Sequence, residues 1–227
     1  AAINDRETVK SKIKYAFRIC FLIAVPSAVG LGILSENIFN MLKFGDGAYL
    51  MKYGSIVVIL MSIMQIQTTI LQSIGKLYTA TLYAVIGIVF KLVANYFLIS
   101  IPSLNILGAI YGSIIGYLIP IILNHKMLLK SLNIKFKLLE QAKRPVIASS
   151  FMGLVVILSN LFFDRFFNLY SKGYFANTIV TLISVILGMY SYLFAMVITG
   201  GITNEDFKAF PRKLNKFIPK FIIEKMK

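Results

Sequence analysis

The sequence predicts an all-α fold, a polytopic membrane helical bundle of about six transmembrane helices. Three observations carry this. Apolar residues make up 58% of the 227-residue chain against 15% charged, and mean hydropathy is +0.78. Soluble domains of this size cannot bury such an excess. The apolar residues fall into six runs long enough to cross about 30 Å of hydrocarbon at roughly 1.5 Å per residue. The basic residues collect on alternate connections. A β-barrel is excluded because runs such as Ser55 to Ser62, with six apolar residues in succession between the serines, do not alternate.

The first span covers about 15–34, with Pro26 in its middle, where proline is expected to kink the helix. The second covers 53–73 and carries Ser62, Gln65, Thr69 and Gln72 at helical period, a polar stripe on one face. The turn Ile74, Gly75, Lys76, Leu77 leads directly into the third span, 78–99, and predicts that these two helices are antiparallel neighbours. The third span carries Lys91 and Asn95 four residues apart, on a face continued by Gly87 and Ala84. The fourth, 107–126, opens with Gly108, Gly112 and Gly116, a spacing that lets two helix backbones approach closely. It also holds Pro120. The fifth and sixth spans cover 145–163 and 177–199. From Phe210 to Ile222 apolar residues recur at helical spacing among lysines, the pattern of a basic amphipathic helix on an anionic membrane surface, kinked at Pro219; a partly disordered basic tail is the alternative.

Lys plus Arg number 24 and Asp plus Glu 9. Nineteen of the basic residues fall on one side of the predicted topology and four on the other, with Lys91 inside the third span. This asymmetry predicts that both termini are cytoplasmic. It also removes nucleic acid as a partner, since the positive charge lies along a membrane face. The polar start predicts no signal peptide, and the absence of an initiator Met fits either Met excision or a fragment whose first helices lie upstream. Cys20 is alone, so no disulfide is expected.

Lys91 and Asn95, with Lys91 close in depth to Ser62 and Gln65, together with Gln72 farther along the same stripe, form the candidate substrate-binding group of Lys91, Asn95, Gln65 and Gln72. A buried cation among amides and hydroxyls, with no acid nearby, is suited to an anion such as a phosphate. Two other readings stand beside it: a lysine that snorkels to the interface, and a stripe that only joins helices. All nine carboxylates lie in connections, at ends or in the tail, which counts against proton or sodium coupling within these spans. His125 has no metal-spaced partners, and neither a GxSxG elbow nor a P-loop occurs, so no enzyme activity, metal or cofactor is expected.

Several segments together resemble the multidrug/oligosaccharidyl-lipid/polysaccharide flippase superfamily, most closely its polysaccharide biosynthesis / stage V sporulation protein B branch. They are residues 26–31 followed by 36–39, the turn Thr69–Lys76 with Ser73 where glycine is usual, residues 91–99, residues 105–112, and residues 200–206 after the last helix. The resemblance implies two six-helix lobes around a cavity plus a final helix pair. On that frame residues 1–130 are the remainder of the second lobe, 131–199 a basic cytoplasmic loop with the final pair, and 200–227 a basic amphipathic cytoplasmic tail. It implies a multi-pass protein of the bacterial cytoplasmic membrane that moves a lipid-linked, pyrophosphate-bearing glycan or peptidoglycan precursor by rocking of the lobes, completed by a missing N-terminal half or a second copy. A cation-coupled multidrug exporter of the same superfamily and a non-transporting truncated membrane module are the alternatives.

Overall fold

A computed structural model of the protein describes residues 2–134, 136–170 and 174–201. Every element among them is a helix: α1 Ala2–Ile33, α2 Ser35–Met41, α3 Ala48–Ser73, α4 Leu77–Ile99, α5 Leu107–Leu132, α6 Leu138–Tyr170 and α7 Tyr174–Ile198. Six of them, all but α2, are long and apolar enough to cross a membrane. The expected amphipathic helix after 200, with its kink at Pro219, lies outside the described residues.

The helices outrun the apolar runs. α1 begins at Ala2, so the basic N-terminal segment is the first part of the first helix. Likewise α5 continues to Leu132 and α6 starts at Leu138, which reduces the basic loop to residues 133–137. Lys, Gln and Glu favour the helix almost as well as Leu does, so a helix need not stop where hydropathy stops. The short α2 is an addition to the predicted elements.

Glycine ends two of the helices. Gly75 sits at φ +77° and closes α3: its N–H donates to Gln72 O at 3.0 Å, and the Lys76 N–H donates to Leu71 O at 2.8 Å. Gly200, at φ +63°, does the same for α7, with Gly201 N–H donating to Met196 O at 2.7 Å. Both follow the left-handed termination that satisfies orphan carbonyls.

The helices pack in the lateral order α4, α5, α3, α1, α6, α7, with α2 laid against α7 and α3. One apolar cluster joins Ile13, Phe17 and Phe21 of α1 to Leu71 of α3 and Leu128 of α5. A second joins Leu22 and Leu34 to Ala148, Met152 and Val156 of α6 and Tyr192 and Met196 of α7. The second and third spans, expected to be neighbours, do touch, but theirs is a minor contact. Although a tight turn joins α3 to α4, α4 packs chiefly on α5, and α5 stands next to α3. The glycine face of α5 explains it, because it offers α4 a closer seat than the bulky surface of α3 does.

Candidate functional site

Lys91 and Asn95 stand on the face of α4 that meets α5. The buried row of α5 runs Gly108, Gly112, Gly116, Pro120, Asn124 and Leu128. Each of its glycines is seated on α4 backbone or on one of these two side chains. A Cβ on Gly108 would lie 2.7 Å from Ile99 N, and one on Gly116 would lie 2.6 Å from Lys91 Cβ. At Gly112 it would overlap the Asn95 amide, and on Gly87 of α4 it would lie 2.8 Å from the Pro120 ring. The seam therefore admits no side chain from either helix at its closest points, and the stem of Lys91 is clamped against Gly116.

Lys91 is half-buried, and no hydrogen bond or ion pair engages its ammonium among the described residues. Asn95 is half-buried too, and its Oδ1 is shielded from solvent without a donor. In hydrocarbon such groups need a partner. The pair is thus a cation packed by its stem on Gly116 and an amide seated on Gly112, with bonding capacity to spare among the described residues.

Gln65 and Gln72 are not brought to this seam. Both are exposed on α3, as is Thr69, and Ser62 is half-buried. The hydroxyls are satisfied locally, with Ser62 Oγ donating to Val58 O at 2.8 Å and Thr69 Oγ1 to Gln65 O at 2.9 Å. What α3 buries instead is the row Ile63, Gln67 and Leu71. Gln67 is fully buried, as is Asn124 on α5, and neither amide has a partner among the described residues. These two amides were not singled out in the sequence; the signal lay in their position one turn from apolar core residues on both sides.

Two further polar groups bind helices together. At one end Asn37 of α2 donates its Nδ2 to Asn160 Oδ1 of α6 (3.3 Å) and Asn177 Oδ1 of α7 (3.4 Å), and Asn160 Nδ2 donates back to Asn37 Oδ1 at 3.1 Å. Ser159 Oγ donates to Ser184 Oγ at 3.2 Å beside them. At the other end Arg18 donates twice to Gly201 O, at 3.1 and 2.6 Å, and Arg144 donates to Gly200 O. Two guanidinium groups thus cap the negative end of α7. Between α1, α6 and α7 lies an apolar groove of about 540 Å³, lined by Ile23, Leu31, Met152, Val156, Val185 and Met189 among others.

No protein-family model matches the chain, and no solved structure matches it. One comparison is informative. The chain is similar to Lipid II flippase MurJ of Bacillus subtilis (strain 168). The two are 31% identical over 200 residues, which are 84% of this chain and 36% of Lipid II flippase MurJ. The chain therefore spans about a third of that relative's length. By its name the relative moves lipid II across a membrane, so the likeness is to a transporter and not to an enzyme.

Proposed function

We propose that the chain is the C-terminal portion of a flippase of the multidrug/oligosaccharidyl-lipid/polysaccharide superfamily, in its polysaccharide biosynthesis / stage V sporulation protein B-like branch. It translocates a lipid-linked oligosaccharide or peptidoglycan precursor across the bacterial cytoplasmic membrane by alternating access. The observation that carries this reading is Lys91: an ammonium with no partner among the described residues, its stem packed on Gly116 within a span, in a chain similar to Lipid II flippase MurJ.

In this reading Lys91 pairs with the pyrophosphate and the Asn95 amide donates beside it. Gln65 and Gln72, on the exposed face of α3, contact the glycan. The apolar groove between α1, α6 and α7 suits the chemistry of the substrate's lipid chain. Residues 1–130 belong to the second lobe and 131–199 hold the final helix pair, fastened to it through α1. Both termini face the cytoplasm, where the basic end of the bundle follows the positive-inside bias. Six spans supply part of a cavity, so the working transporter includes the remaining N-terminal portion or a second copy. A cation-coupled exporter is less well supported, because the acids stand toward helix ends, in connections or in the tail.

The test is reconstitution of the chain with its N-terminal portion in vesicles and measurement of lipid-linked precursor translocation. Lys91→Ala is expected to insert and fold normally and to lose transport by at least about tenfold, the order of a lost charge-assisted bond. Wild-type transport in that variant would assign Lys91 to helix packing or to the interface.

A further inference from the structure

At the end of the bundle where α1, the 133–137 connection and the start of α6 meet, three adjoining cavities of about 510, 360 and 300 Å³ share Glu140. Their walls carry six cationic side chains, Lys10, Lys14, Arg18, Lys137, Lys143 and Arg144, against that one carboxylate. Arg18 and Arg144 are committed to the Gly201 and Gly200 carbonyls. Lys10 is 3.3 Å from Glu7, and Lys137 is 3.9 Å from Glu140. Lys14, half-buried, and Lys143 have no acidic partner among the described residues.

The floor of the recess is apolar. Phe136 is buried, with its ring 5.4 Å from Phe17 and edge-on to His125 at 5.5 Å. His125 contributes a buried Nδ1 that lacks a partner. At the rim Leu139 is 75% exposed. The recess lies along the N-terminal half of α1, by the end of α5 at Leu132 and the start of α6 at Leu138. In a bundle that spans a bilayer, such helix ends lie near the boundary between hydrocarbon and water.

We infer that this recess binds the phosphate headgroup of an anionic phospholipid, with Lys14 and Lys143 on the phosphate and the acyl chains leaving past Leu139. Cations alone would hold any phosphate. The exposed leucine at the membrane boundary is what favours a phosphate that carries hydrocarbon. The inference stands apart from the transport reading and needs only the membrane fold.

The experiment uses the full chain in detergent and short-chain fluorescent phosphatidylglycerol, with phosphatidylcholine as the neutral comparison. Phosphatidylglycerol is expected to bind and phosphatidylcholine not. Lys14→Gln and Lys143→Gln should each weaken binding by about fivefold, Lys14→Arg should retain it, and Lys43→Gln at the far end should leave it unchanged. Circular dichroism and thermal melting establish that each variant is folded. Should Lys14→Gln fail to fold, the exposed Lys143→Gln carries the test alone. Equal binding of the neutral lipid, or undiminished binding by folded Lys14→Gln and Lys143→Gln variants, would overturn the inference. Full displacement by millimolar inorganic phosphate would overturn it as well, by assigning the recess to a small ion.

Discussion

Pro26 has no amide proton to give to the Leu22 carbonyl one turn back, which leaves that oxygen without its helical donor in the middle of α1. The Tyr192 hydroxyl of α7 donates to it at 2.7 Å. A proline in one helix is thus matched by a tyrosine in another, as buried backbone in a membrane requires. Tyr192→Phe is expected to cost about 1–3 kcal/mol, read as a lower thermal midpoint in detergent. The cost should largely disappear in a Pro26→Ala background, where the helix regains its own donor. Gln67 poses the opposite case: a fully buried amide with no partner among the described residues. Replacing an unpaired buried polar group with an apolar one of similar size is near-neutral or stabilising, so Gln67→Leu should hold or raise the midpoint. A marked fall would show that its amide has a partner in the membrane. Lys91 was legible from sequence because a cation inside an apolar run stands out by itself. Neither the Tyr192–Leu22 bond nor the burial of Gln67 was, because both depend on which helices become neighbours.

Among the elements, the seam of α4 and α5 shows what spacing alone can convey. Glycines four apart announce a close helix contact without naming the partner. The structure supplies it: Asn95 over Gly112, Lys91 over Gly116 and Pro120 against Gly87. A methyl group at 116 would lie 2.6 Å from Lys91 Cβ, and that carbon cannot swing aside as a side-chain tip can. Gly116→Ala is therefore expected to destabilise by about 1–3 kcal/mol through overpacking, lowering the thermal midpoint by several degrees; an unchanged midpoint would mean that the helices are farther apart. The six long helices were legible because each span exceeds the length of bilayer hydrocarbon. α2 was not, since seven residues beginning Ser35, Glu36, Asn37 carry no span signal. Its place is set by the asparagine contacts to α6 and α7, which are tertiary.

For the whole molecule, the order α4, α5, α3, α1, α6, α7 makes α1 the link between the second-lobe helices and the final pair. Chain order did not reveal this arrangement, because consecutive helices pack together often but not always. The charge pattern does bear on the orientation we propose. With Cys20 replaced, a cysteine at Lys143 should react with a membrane-impermeant thiol reagent only from the cytoplasmic side, and one at Lys43 only from outside. Labelling of both from one side would contradict the positive-inside reading. The central claim concerns Lys91, and the most direct measurement is precursor translocation by vesicles holding the chain and its N-terminal portion, with lysine or alanine at position 91. The account predicts transport with lysine and a loss of at least about tenfold with alanine at equal protein insertion. Equal rates for the two would contradict it.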